Sequence, residues 1–292
     1  MNSLIQQLSR IRAISEERLQ LYFPRVRDRE DIAVLRDYQS EVIVLSGIDH
    51  VGNSYYEERE EKQGYSVHGQ KLLTPRLEDN IRRAKDFGGF IRNKCWLDFG
   101  CGLGGMLDEM ADQAKHAIGL EPSRARADLV KAKGHDIALS IDEIEAEALD
   151  VVTMFHVLEH LTDPLMELEK IRGRLKADGV LLIEVPHARD ALFTLYESVD
   201  FKKFTFWSEH LVLHTRQSLT LLLTAAGFSK IEVMGYQRYP LANHLHWLAK
   251  HRPGGHELWG FLNSTGLQTE YEAVLSKLDR TDTLIAVCRP PR

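Results

Sequence analysis

The run Asp98-Phe99-Gly100-Cys101-Gly102-Leu103-Gly104-Gly105 constrains this chain more than any other stretch of it. It closes a short strand that begins at Trp96-Leu97, and a helix-competent segment opens behind it. Glycines at such a turn let the backbone pass close to a ligand and leave amide N–H groups free to donate. The next strand, Ala117-Ile118-Gly119-Leu120, ends in a second acid, Glu121. A carboxylate only accepts hydrogen bonds, so an acid there suits the two hydroxyls of a ribose.

From Lys94 onward the chain alternates strands with helices. Ile137-Ala138-Leu139 is a weaker third strand, Leu149 to Met154 a fourth and Gly179 to Val185 a fifth. Ser123 caps one intervening helix, which stops before Gly134; Asp163 caps another, with Pro164 in its first turn. Thr215 caps a further helix that stops at Gly227, and two late strands follow, Lys230 to Gly235 and Thr283 to Val287. Strands joined by helical crossovers form a parallel sheet covered on both faces. The expected fold is therefore α/β, a doubly wound, mostly parallel seven-stranded sheet whose last strand is antiparallel. Residues 1–46 read as helical, from Leu4, Ile5, Leu8, Ile11 and Ile14, with a break at Pro24 and a second helical stretch over about Asp31 to Leu45. Residues 53–75 read as loop, followed by a helix from about Pro75 to Phe87 that Gly88-Gly89 ends. The expected organisation is an N-terminal helical extension and lid (1–89), a core (90–236), a cap insertion at the C-terminal side (237–281), and a final core strand and tail (282–292).

With 292 residues, 43 % apolar and 27 % charged, the chain has the length and composition to bury a core, which excludes intrinsic disorder. A net charge of −6, from 37 basic and 43 acidic residues, disfavours a broad nucleic-acid surface, so no nucleic-acid partner is expected. No apolar run is long enough to span a membrane, and Met1 to Leu19 lacks the continuous apolar core of a signal peptide. Cys95, Cys101 and Cys288 are too scattered for a disulfide framework, which fits a reducing, cytoplasmic location.

Two ligands compete for the glycine turn. Gly100-x-Gly102-x-x-Gly105 also satisfies the dinucleotide fingerprint, which would make the chain an NAD-dependent oxidoreductase. Asp98 argues against that: a carboxylate at the mouth of the turn repels two phosphates and attracts an ammonium or sulfonium cation. S-adenosylmethionine carries both cations and no phosphate.

Asp98 to Gly104 resembles the first motif of class I S-adenosylmethionine-dependent methyltransferases, which have a Rossmann-like core. Gly119-Leu120-Glu121-Pro122-Ser123 resembles their second motif. Asp150-Val151-Val152, with Val157-Leu158-Glu159-His160-Leu161-Thr162-Asp163-Pro164, resembles the segment after their fourth strand. Leu175, Gly179 and Leu182 fit their fifth strand, and Ser218-Leu219 through Ala226-Gly227-Phe228 fits the stretch before the sixth. The resemblance covers about residues 90–236 and the final strand. It implies that S-adenosylmethionine is the cofactor, with its methionyl amine near Asp98. Gly100 and Gly102 would lie beneath its methionyl and ribose groups, and Cys101 would be a packing residue of the same loop. Glu121 would hold the ribose hydroxyls and Pro122 would lie against the adenine. Ser140, Ile141 and Asp142 would flank the adenine edge, while Phe155 and His156 would close the methionyl side.

Histidines recur four apart, as His156/His160 and His210/His214. The resemblance accounts for Glu159 and His160 without a metal, and no acid-rich context or cysteine pair accompanies the histidines, so no metal is expected. A hydroxyl acceptor needs its proton removed, and imidazole suits that at neutral pH; His210 and His160 are the candidate bases. No Asn-Pro-Pro-aromatic motif follows the fourth strand, where the chain reads Met154-Phe155-His156-Val157, which favours oxygen or carbon over nitrogen as acceptor. In the insertion, Arg238, Tyr239, Asn243, His244 and His246 suit a polyhydroxylated ring. The resemblance extends more loosely to bacterial enzymes that methylate sugars or glycan precursors. The expected acceptor is accordingly a small molecule such as a sugar nucleotide or glycan, in polysaccharide biosynthesis; methylation of RNA or protein is the alternative. Tyr55, Tyr56 and Tyr65 read as a lid, and Glu57 to Lys62 as a solvated helix face. The apolar stripe of the N-terminal helices needs cover, from a second subunit in a homodimer or from its own chain.

Overall fold

The computed structural model describes residues 2–51 and 77–291. The lid tyrosines and the charge run at 57–62 lie outside the described residues.

Seven strands form the central sheet: β4 (Cys95–Phe99), β5 (His116–Leu120), β6 (Asp136–Ala138), β7 (Leu149–Phe155), β8 (Leu175–Pro186), β10 (Ser229–Tyr236) and β11 (Thr283–Arg289). Their order is β10-β11-β8-β7-β4-β5-β6, and β11 is antiparallel to both of its neighbours. The other pairs run parallel, as expected. Aliphatic runs fill the central strands because helices cover both faces. Val151, Val152, Met154, Leu181, Leu182, Ile183 and Val185 are all buried. The caps read from sequence are formed: Ser123 accepts from Arg126, Asp163 from Met166, and Thr215 builds a capping box with Ser218.

The N-terminal segment differs from its expectation. Only Ser3–Arg10 is a regular α-helix there; β1 (Leu19–Phe23), β2 (Val34–Asp37) and β3 (Ile43–Leu45) occupy much of the rest. The supposed helix over 31–45 is a hairpin, in which Val34 pairs with Leu45. Its arms carry Ile32, Val34, Val42, Ile43 and Val44, β-branched residues that favour a strand. Asp37 turns the corner by accepting from the N–H groups of Gln39 (2.8 Å) and Ser40 (2.9 Å). A fourth strand, β9 (Val212–Leu213), joins β3 from far along the chain. Leu4, Ile5 and Leu8 of the first helix are buried in a cluster with Val34, Ile43, Phe206 and Leu211. The apolar stripe considered for a homodimer is thus covered by its own chain.

The helix Leu77–Ile91 runs through Gly88-Gly89. A Cβ on Gly88 would stand 3.1 Å from Met110 Cε, so this glycine serves close packing against the helix Gly105–Met110. The insertion folds as helices Leu241–Lys250, Gly255–Leu258 and Thr265–Leu278.

Candidate active site

Parallel pairing of β4 with β5 places Asp98 opposite Gly119 and ends both strands on one edge. There Gly100 (φ 74°) and Gly102 (φ 57°) turn the chain in the left-handed region. The N–H groups of Gly100 and Cys101 donate to the Leu120 carbonyl at 2.8 and 3.0 Å, locking the turn to the neighbouring strand. A Cβ on Gly100 would fall 2.5 Å from Val157 Cγ2, so no other residue fits without rearrangement.

Asp98 is buried and accepts from the Thr153 hydroxyl at 2.7 Å; that hydroxyl in turn accepts from the Trp96 indole N–H at 2.9 Å. Burial pushes the Asp98 carboxyl up to about 6, against the opposing pull of Thr153 and Arg83. Glu121 is also buried and accepts from the Ser123 N–H at 2.9 Å.

A cavity of about 890 Å³ opens at this edge. Its lining includes Gly100, Gly102, Glu121, Pro122, Ser140 and Ile141 together with His156, His160, Trp207 and Glu209. A second cavity of about 200 Å³ shares Gly100 and is lined by Asp98, Cys101, Phe155, Asn80 and Arg83 among others. Ten of the eleven residues expected around the cofactor therefore line one cavity or the other. Asp142 does not; its carboxylate pairs with Lys170 (3.2 Å) and Arg174 (3.5 Å).

His160 faces the larger cavity, while His210 stands beside it with ring centroids 5.1 Å apart and is not among the lining residues. Burial, reinforced by the neighbouring His160, holds His210 well below the ordinary imidazole value, which leaves it neutral at pH 7. Burial works against the charge of Glu159, yet the hydrogen bond from His156 (3.0 Å) brings its carboxyl down to about 2. The loop bearing Trp207, Glu209 and His210 is held by the N-terminal sheet. Ser208 donates through its N–H (2.9 Å) and hydroxyl (2.7 Å) to Asp28, and the Arg27 guanidinium lies 4.9 Å over the Trp207 ring. The Leu211 N–H donates to the Glu159 carbonyl at 2.8 Å, and its own carbonyl accepts from Leu45 at 3.1 Å. Residues expected to form a separate extension thus hold in place a loop whose Trp207 and Glu209 line the cavity.

The insertion residues do not line the larger cavity. Arg238 is nearly buried; it donates to Asp79 at 3.0 Å and approaches His156 Nε2 at 2.5 Å. Tyr239 lies against its guanidinium (5.1 Å). His244 bonds Tyr271 at 2.6 Å, and burial lowers it to about 4; His246 bonds the Arg252 carbonyl at 2.9 Å. Asn243 is buried where the helix Leu241–Lys250 meets Gly255. These five, expected to suit a sugar ring, are drawn inward, because aromatic and imidazole rings in a short helical insertion must cover one another to leave water.

Sequence reasoning missed Glu184. It is fully buried and receives Arg82 (2.8 and 2.9 Å), Arg83 (2.7 and 3.2 Å) and His156 (3.2 Å). The signal was present: one charge inside the apolar run Val180 to Val185 demands buried partners. His156, held by this group and Glu159, adopts φ 56°, a conformation uncommon for a side-chain-bearing residue, on the turn that faces the cavity.

The sequence pattern of the methyltransferase-domain family matches residues 70–233. A ubiquinone biosynthesis O-methyltransferase of Actinobacillus pleuropneumoniae is 30 % identical over 124 residues, 38 % of this chain and 52 % of that protein. A tRNA U34 carboxymethyltransferase of Shewanella halifaxensis is 30 % identical over 135 residues, 42 % of this chain and 41 % of that protein. The chain thus spans about half the length of the curated relatives it matches. A crystal structure of a SAM-dependent methyltransferase from Archaeoglobus fulgidus superposes with a TM-score of 0.52 at 17 % identity, over 80 % of this chain and 99 % of that one, a likeness of fold. With the family pattern spanning more than half of its length, the chain belongs to the class I S-adenosylmethionine-dependent methyltransferases.

Proposed function

We propose that the chain transfers the methyl group of S-adenosylmethionine to an oxygen of a small-molecule acceptor seated against His160 and Trp207. The observation that carries this reading is the placement of two buried acids, Asp98 and Glu121, on either side of a bare glycine turn beside a cavity that continues to His160. S-adenosylmethionine supplies an electrophilic methyl carbon on a cationic sulfur. Asp98 would attract the methionyl amine, and Glu121 would accept from the ribose hydroxyls. Much of the rate would come from holding acceptor and methyl carbon in line. His160, with His210 behind it, would take part in removing the acceptor's proton. The first relative named is an O-methyltransferase, which supports oxygen; neither relative named acts on a sugar by its name.

Labelled S-adenosylmethionine tests the reading against hydroxylated aromatic molecules, sugar nucleotides and transfer RNA in parallel. Label passing to a small hydroxyl compound is the expected result; label passing only to RNA overturns the acceptor class.

Glu121→Ala is expected to weaken S-adenosylmethionine binding by about 1–3 kcal/mol, through lost hydrogen bonds to a charged acceptor. Equal affinities in calorimetry would remove the ribose role. The Asp98 carboxyl also predicts a pH dependence. Its value of about 6 lies above the unperturbed 3.8, so the cofactor-free fold favours the protonated form and loses stability as pH rises between the two. A cationic amine needs the ionised form. Affinity is therefore expected to fall as pH drops through about 6, to about tenfold weaker at pH 5 than at pH 8. Asp98→Asn should bind weakly with no such slope, and a slope equal to that of the unmodified protein would assign it to another group.

A further inference from the structure

We propose that Glu159, His160 and His210 form a binding site for a divalent transition-metal ion at the acceptor wall. One ligand atom from each of the three lies within 4.8 Å of the other two. Donors about 2.1 Å from a shared ion stand roughly 3–4 Å apart, so side-chain movement of under about an ångström completes the site. Two imidazoles and one carboxylate are ligands suited to zinc, manganese or iron.

Independent observations point to a ligand. Glu159 is fully buried, and only one of its oxygens is engaged by His156; Oε2 has no hydrogen-bond partner among the described residues. His210 Nδ1 is likewise buried with no hydrogen-bond partner. Buried polar atoms left unpaired are costly, and two of the three residues in this cluster each carry one, which a bound cation would relieve. The His156 bond that holds the other Glu159 oxygen is the kind of outer contact that orients a metal-binding carboxylate. The sequence expectation of no metal rested on the lack of an acid-rich context or cysteine pair around the two histidine pairs, and on a family resemblance that accounts for Glu159 and His160. The tertiary structure takes one histidine from each pair and sets both beside the Glu159 carboxylate.

The site's position gives it a use, which rests on the methyl-transfer reading. His160 lines the larger cavity beside Trp207 and Glu209, so open coordination positions would face the acceptor. An acceptor hydroxyl bound there loses its proton to water more readily. Its oxygen then forms the bond to the methyl carbon as the carbon–sulfur bond breaks and that electron pair returns to sulfur.

The test titrates the full chain with ZnCl2 in calorimetry and with MnCl2 under electron paramagnetic resonance. Parallel samples carry His210→Ala, Glu159→Gln and, as a control at a remote exposed His–Asp pair, His116→Ala. Circular dichroism checks each fold; should the buried Glu159 variant not fold, His210→Ala carries the comparison. One equivalent is expected in the unmodified protein and in His116→Ala. Binding at least about 10–100-fold weaker is expected in His210→Ala, since even removing a group that merely supports a ligand has that effect. Undiminished binding in His210→Ala, or none in the unmodified protein, overturns the site. S-adenosylmethionine titrated into the same samples reports separately: cofactor bound without metal overturns only the metal, and metal bound without cofactor overturns the methyl-transfer reading alone.

Discussion

Replacing Glu184 by alanine is expected to lower the unfolding free energy by about 3–5 kcal/mol, because it strands buried cations without their counter-charge. Glu184 sits opposite Phe155 of β7 and Ile285 of β11, inside the sheet, and is fully buried. Arg82 and Arg83 both reach it from the helix Leu77–Ile91, so one carboxylate ties that helix to the sheet. Burial opposes its charge, but the His156 hydrogen bond and the Arg83 charge hold its carboxyl well below the ordinary 4.5. A depressed folded value means that its stabilisation is complete above about pH 4.5 and is lost as pH falls through the folded value. Glu184→Gln keeps the shape and one acceptor oxygen and should lose less than the alanine variant. Denaturant titration at neutral pH measures both. A loss under about 1 kcal/mol for alanine would mean that the arginines turn out to water and that the helix is held by other contacts. Since Arg83 and Asn80 also line the small cavity beside Asp98, the alanine variant should bind S-adenosylmethionine more weakly as well.

His160→Ala is expected to slow methyl transfer by about 100-fold or more while leaving S-adenosylmethionine affinity nearly unchanged. Of His160 and His210, it is His160 that lines the cavity. Truncation there removes the imidazole that would face the acceptor, whether it acts on the proton itself or through a bound cation. Glu121 and Asp98, the residues proposed to hold the ribose and the methionyl amine, are left in place. The diagnostic is the split: turnover measured with labelled cofactor, affinity measured by calorimetry. Near-normal turnover would exclude His160 from proton removal, and a parallel loss of affinity would make it part of the cofactor wall.

The glycine turn and the acids beside it were legible because each piece is local. The Asp98 to Gly105 turn follows its own strand, Glu121 ends the next, and parallel pairing of adjacent βα units brings the two ends together. Capping residues and strand periodicity act over a few residues too, so Ser123, Asp163 and Thr215 mark their helices correctly. The N-terminal segment was misread because Leu4 to Ile14 is apolar at helical spacing, and that pattern was carried over 31–45, where β-branched residues and the Asp37 turn favour a hairpin.

What sequence alone determined is the doubly wound sheet and the acids that flank its glycine turn. The tertiary structure decided which other residues reach the cavity. β9 joins β3 from more than 160 residues away, and this pairing carries Trp207, Glu209 and His210 to the cavity's edge. Glu184 finds its arginines about 100 residues back along the chain, and His160 meets His210 across 50. Backbone periodicity and capping are set by neighbours in sequence, whereas partners for buried charges and rings are chosen by which surfaces must leave water together, and that is fixed only when the whole chain packs.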